Sequence, residues 1–142
     1  MSTIKANTLL HSDGSTTTQP SIPALDKRMA KAWVNFNGTV AGSVSGTVAI
    51  NSAYNVSSIT DNAQADYTVN FTNSMANANY SFSLGVEHYS TSAQYSSQHI
   101  QARYGGVVAS SLRMIITRNQ TGTQYDGLDV DSANVCAQVF GN

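Results

Sequence analysis

Between Ala65 and Val86 the chain reads ADYTVNFTNSMANANYSFSLGV, and both ends of that stretch alternate between apolar and polar residues. Tyr67, Val69 and Phe71 interleave with Asp66, Thr68, Asn70 and Thr72; Tyr80, Phe82, Leu84 and Val86 interleave with Ser81, Ser83 and Gly85. A period of two over both arms belongs to strands with one buried and one wet face, and it is incompatible with helix. The link Asn73 to Asn79 is rich in Asn and Ser, which tolerate left-handed backbone and hydrogen-bond their own main chain, so the pattern predicts a β-hairpin. A lone hairpin is marginal in water, and the rest of the chain has to cover its apolar face.

The chain has 142 residues, enough for one domain with its own core and a short extension. Seven Lys and Arg stand against eight Asp and Glu, and charged residues make up 11% of the total, where a typical soluble domain carries roughly 25%. The surface is therefore built from uncharged Ser, Thr, Asn and Gln. Nucleic acid is excluded as the main partner, because no basic stripe is present to neutralise phosphates. No run of 18 apolar residues occurs and the N-terminus lacks the apolar core of a signal peptide, so neither membrane insertion nor secretion by that route is expected. The one cysteine, Cys136, cannot form an internal disulfide and alternates with Val135 and Ala137 as a small packed side chain.

Residues 1 to about 21 hold few apolar groups beyond Ile4, Leu9 and Leu10, too few for a core, and read as an extended attachment arm held by a partner. In SIPALDKRMAKAW, Pro23 suits a first helical turn, and Ile22, Leu25, Met29 and Ala32 fall on one a/d seam. The spacing predicts one short helix, either capping its own domain or packed against symmetry mates as a trimer neck. This divides the chain into an arm and neck, 1–32, and a β-domain, 33–142. In Trp33 to Asn37, Val34 and Phe36 share one side and Trp33, Asn35 and Asn37 the other. The repeat GTVAGSVSGTVA from Gly38 to Ala49 makes a nearly flat face, which fits either a tight hairpin turn or close approach of a neighbouring subunit. Ala49 to Asn62 continues as a strand ending at Asp61 and Asn62. After the polar loop at 87–98, strands follow at His99 to Tyr104, closed by Gly105 and Gly106, at Ser111 to Thr117, and at Asn134 to Gly141. Seven or so short strands with turn signals between them make the fold all-β, a jelly-roll-like β-sandwich preceded by the arm and the helix.

Little in the chain has the pattern of catalysis. GSVSG at Gly42 to Gly46 puts Val44 where a nucleophile elbow needs serine, and no Lys followed by Ser or Thr completes a phosphate loop. His11, His88 and His99 are too widely spaced to form a local ligand pair. Asp126, Asp129 and Asp131 lie close in sequence, but without EF-hand spacing or a following bidentate Glu; a solvated loop is the expected state, with no required metal and no cofactor. Glycoside hydrolysis needs paired carboxylates, and the central stretch offers only Asp66 and Glu87, both on its polar face.

KAWVNFNGT at Lys31 to Thr39 and NVSSITDNAQADYTVNFTNSMANANYSFSLG at Asn55 to Gly85 resemble C-terminal domains of bacteriophage tail fibres and related virion appendage proteins, especially those of marine phages. The opening MSTIKANTLLHSDG is similar to the N-terminal arms of such proteins. The resemblance implies a non-enzymatic, homotrimeric virion protein assembled in the host cytoplasm. Its arm, through Ile4, Leu9 and Leu10, would dock on tail or capsid proteins, and its tip would meet a host-surface glycan or outer-membrane protein. His88, Tyr89 and Tyr95 in the long polar loop are the receptor-binding candidates, since aromatic faces and uncharged donors suit such ligands. A capsid decoration, head-fibre or adaptor protein is the alternative, and a carbohydrate-active enzyme the remotest.

Overall fold

The computed structural model describes residues 28–40, 46–87, 95–120, 128–129 and 131–141, together with Gly14. They form ten strands: β1 (Ala30–Phe36), β2 (Gly46–Val48), β3 (Ile50–Tyr54), β4 (Val56–Ala63), β5 (Asp66–Phe71), β6 (Ser81–Val86), β7 (Tyr95–Val108), β8 (Ser111–Gln120), β9 (Leu128–Asp129) and β10 (Val135–Phe140). A 3-10 turn at Gly38–Val40 follows β1. The strands make two sheets. One has the order β3-β1-β10-β6, the other β2-β4-β5-β8-β7 with β9 beside β8, and every pairing is antiparallel.

One core fills the space between the sheets. Val34, Phe36, Val135 and Val139 enter it from the first sheet and Ile59, Tyr67, Val69, Leu112, Met114 and Ile116 from the second. The ring of Phe36 meets Tyr67 edge to face at 5.2 Å, and Phe71 meets Tyr80 at 5.9 Å. The expected alternation in Trp33 to Asn37 holds, with Val34 and Phe36 inside and Trp33 outside.

Several expectations are corrected. The stretch 65–86 is not a hairpin: β5 pairs with β4 and β8, whereas β6 pairs with β10 in the opposite sheet. Alternation reports one wet and one dry face but not the partner, and two facing sheets give the same pattern as one hairpin. The link 73–79 therefore crosses the end of the sandwich, and it is anchored there by Met75, which is buried and whose N–H donates to Ala109 O at 2.8 Å.

The helix predicted over 21–33 does not extend through its last residues: Ala30 to Trp33 lie in β1, paired with β10, and residues 21–27 lie outside the described ones. Ala32 is 1% exposed in the core and so cannot serve a neck seam, while Met29 stands 42% exposed in the bend before β1. A short apolar run is ambiguous between periods of two and 3.6, and here the ladder to β10 satisfies the backbone without helix nucleation. The close approach expected at the glycine repeat is intramolecular at Gly38. A Cβ there would stand 2.5 Å from Tyr67 Oη, and the Gly38 N–H donates to Ser132 O at 2.8 Å.

The strand expected over 49–62 is broken at Asn55, which passes the chain from the first sheet to the second. Its φ is 54°, a left-handed value that Asn accepts more readily than most residues. Its side chain fills the corner: Nδ2 donates to Lys31 O and Asn73 O, both at 3.0 Å, and Oδ1 accepts from Asn73 N at 2.7 Å. Replacing Asn55 by Gly keeps the conformation but strips these bonds, and should cost about 1–3 kcal/mol. Asn55→Ala adds the left-handed penalty of about 1 kcal/mol or more. Urea midpoints at constant m should fall in the order wild type, Gly, Ala; equal midpoints for all three would remove the corner's role.

Candidate functional surface

The structure places the sequence-derived sites unevenly. Ile4, Leu9, Leu10, Ile22, Leu25, His88, Tyr89 and Asp126 lie outside the described residues. Tyr95 begins β7 opposite Gln120, and Asp129 sits in β9 opposite Thr117. The other surfaces come from residues that sequence reading left unconnected.

On the outer face of the first sheet, residues directly opposite one another on neighbouring strands form lateral rows. Tyr54, Trp33, Gln138 and Ser83 make one row, and Ser52, Asn35, Cys136 and Gly85 the next. Neither row contains a charged side chain. Trp33 is 38% exposed, Tyr54 is half-buried, and Gln138 and Ser83 face solvent. The amides beside them are oriented: Asn51 Nδ2 donates to Asn35 Oδ1 at 2.9 Å, and Asn35 Nδ2 donates to Asn134 Oδ1. Gly85 leaves room for the neighbouring thiol, since a Cβ there would stand 2.7 Å from Cys136 Sγ. The result is an uncharged platform with two aromatic residues at opposite positions on neighbouring strands and amides of fixed direction beside them.

A second feature lies on β7, an edge strand. Between the pairs Ala102↔Met114 and Val107↔Leu112, four residues, Arg103 to Gly106, oppose the single Arg113, so the edge bulges outward. Gly105 has φ +70°, and a Cβ on Gly106 would lie 2.6 Å from the Arg113 Cβ; both glycines are required by the bend. Tyr104 at its tip is fully exposed. The base is pinned by Asp66, buried beneath two arginines: Arg113 Nε and Nη2 donate to its two oxygens at 2.7 and 2.8 Å, and Arg103 Nη1 lies 2.8 Å from Oδ2. The guanidinium of Arg113 is held above its ordinary pKa chiefly by its hydrogen bonds to Asp66. Asp66, considered above as one of a catalytic pair, is thus bound into an ion network.

A third cluster is internal. Tyr67 Oη donates to Asp131 Oδ1 at 2.5 Å and lies 3.0 Å from Gly38 O; the same Asp131 oxygen accepts from Ala65 N at 2.7 Å. Ala65 is buried with φ 60° in the β4–β5 turn. Directly across from Tyr67 stands Asp61, 4% exposed, whose pKa is raised first by burial and then by the charge of Asp131. Burial, with Asp131 second, also drives the Tyr67 phenol well above its usual value. Tyr80, whose hydroxyl meets Val108 O and Ser111 O at 3.1 and 2.8 Å, is pushed up by burial to about 12. Among the described residues no group of three His, Cys, Asp or Glu gathers, and no helix is long and apolar enough to cross a membrane.

Comparison with family models, with curated proteins and with solved structures returns no match for this chain.

The raised pKa of Asp61 has a testable sign. Below the unfolded value, near 3.9, the group is neutral in both states and costs nothing; as pH rises through the folded value it must ionise inside the protein and stability falls. Asp61→Asn should therefore raise Tm at neutral pH in buffer free of divalent cations, with the gain shrinking toward acid pH. A Tm difference independent of pH would show that Asp61 acts through packing alone.

Proposed function

We propose that the protein is a non-enzymatic structural component of a phage virion, a tail fibre or short appendage protein whose N-terminal arm docks on the particle and whose sandwich contacts the host surface. The resemblance of Lys31 to Thr39 and Asn55 to Gly85 to tail-fibre domains supports the virion setting. Chain crossings between the sheets after β1, β2, β3, β5, β6 and β9 support reading the domain as a jelly-roll-like tip.

The observation that carries the contact role is the uncharged row Tyr54, Trp33, Gln138 and Ser83 on the outer face of the first sheet. Exposed rings pack against the apolar faces of a sugar or a protein side chain, and amides and hydroxyls bind uncharged polar groups, while the absence of charge makes contact insensitive to salt. Weak single contacts become strong when several copies act together. Homotrimeric assembly remains part of the proposal on the strength of the resemblance. Its contacts are assigned elsewhere than the full Ile22, Leu25, Met29 and Ala32 seam, because Ala32 belongs to the core.

Two measurements separate the parts of this reading. Antibody raised against the purified chain should decorate phage particles at an appendage; labelling of no particle would contradict the virion assignment. In a cell-binding assay with the isolated protein, Trp33→Ala should weaken attachment by about tenfold, as expected when an aromatic anchor is lost. Circular dichroism serves to check that the variant keeps its strands. Wild-type attachment by a folded Trp33→Ala chain would remove this face from the contact surface.

A further inference from the structure

Asp61 is buried and Asp131 half-buried, and among the described residues no ion pair ends on either carboxylate. The two ion pairs among the described residues, from Arg103 and Arg113, both end on Asp66. Asp61 is 96% removed from solvent, and although the Ala63 backbone bonds its carboxylate, its Oδ1 is buried with no hydrogen-bond partner. Asp131 has one oxygen occupied, Oδ1, which accepts from both Tyr67 Oη and Ala65 N. Both residues converge on Tyr67: Asp61 stands directly across the β4–β5 ladder from it, and Asp131, in the lead-in to β10, accepts from its hydroxyl. A buried carboxylate is costly unless it is paired, protonated or bound to a metal, and a second carboxylate nearby raises that cost.

We propose that Asp61 and Asp131 hold a divalent cation, calcium in preference to magnesium, at the end of the sandwich closed by the β4–β5 turn. The donors are the unpartnered Oδ1 of Asp61 and the carboxylate of Asp131, with the carbonyl of Gly38, already hydrogen-bonded to Tyr67, as the neighbouring neutral oxygen. All are hard oxygen donors. Calcium accepts mixed and irregular oxygen sets, whereas magnesium demands near-octahedral geometry and gives up its waters reluctantly. Sequence reading missed the site because it searched Asp126, Asp129 and Asp131 as a local loop; the partner of Asp131 lies on β4, seventy positions earlier in the chain by number (61 against 131). The cation would tie β4 to the segment before β10, a stabilising role independent of the virion assignment.

The test uses the full chain stripped with chelator and exchanged into cation-free buffer. Calcium added from micromolar to millimolar should raise Tm progressively, as ligand binding to the native state requires, and more than magnesium does at the same concentration. Sodium chloride of matched ionic strength should not reproduce the rise. In Asp61→Asn the calcium-dependent shift should vanish although the variant folds, its Tm without calcium being at or above that of wild type. Terbium luminescence sensitised by tyrosine provides a direct readout: Tyr67 beside the site should excite the bound ion, calcium should displace it, and Asp131→Asn should lose the signal. A Tm indifferent to calcium, or a calcium shift that survives in Asp61→Asn, would overturn the proposal.

Discussion

The phenol of Tyr67 has to find hydrogen-bond partners in the middle of the protein, and the way it does so fixes four segments of chain. Its ring is fully buried against Phe36, and its hydroxyl reaches Asp131 and the carbonyl of Gly38. Gly38 must lack a side chain for that contact to exist, and its N–H then bonds Ser132 O. Ser132 is itself buried, and its hydroxyl donates to Glu87 O at 2.9 Å. The end of β1, the β4–β5 turn, the end of β6 and the approach to β10 are thus linked through one aromatic side chain. A buried hydroxyl left unpaired would cost about 1–3 kcal/mol, comparable to a sizeable part of a small domain's net stability.

Around that node the polar groups divide by surface. Among the described residues the inner faces take most of the large apolar side chains, and the charges that are buried lie at defined places, Asp66 under its two arginines and Asp61 across the ladder from Tyr67. The two lateral rows through Trp33 and Asn35 on the outer face of the first sheet are left to uncharged groups. This arrangement follows from a composition in which 11% of residues are charged: most of the wet positions have to be filled by Asn, Ser, Thr and Gln. Cross-strand amides can then bond one another, as Asn51, Asn35 and Asn134 do, and a surface made this way is rigid without being charged. The edge strand β7 bulges outward at Arg103 to Gly106, and a bulge of this kind breaks the regular edge on which another strand could pair.

The sequence made the strands legible and left their partners hidden. Tyr67, Val69 and Phe71 alternate in the chain and are buried as expected, because alternation is a local property of a strand with one dry face. That β5 and β6 lie in opposite sheets was not legible, since partner choice depends on contacts far apart in sequence. Asn55 carried a signal that could have been used: an Asn between two β-rich runs is a candidate left-handed corner. Gly105 and Gly106 were read as a strand end, yet β7 runs on past them, because glycines permit a bulge as readily as a turn. The helix over 21–33 failed at its C-terminal part for lack of length: with so few apolar positions, Ala32 fits a helical seam and a strand equally, and pairing with β10 decides. The platform around Trp33 needed the register. Trp33 and Asn35 were correctly placed opposite Val34 and Phe36, but only the ladders bring Tyr54 and Gln138 beside Trp33.

Tyr67 links these segments through its hydroxyl more than through its ring, and Tyr67→Phe separates the two. The substitution keeps the buried aromatic ring and its edge contact with Phe36 while removing the bonds to Asp131 and Gly38. Equilibrium unfolding in urea should show a midpoint lowered by the equivalent of about 1.5–3 kcal/mol, the range for a hydrogen bond to a charged group, with m unchanged. A midpoint equal to that of wild type would mean that the hydroxyl does not hold these four segments together.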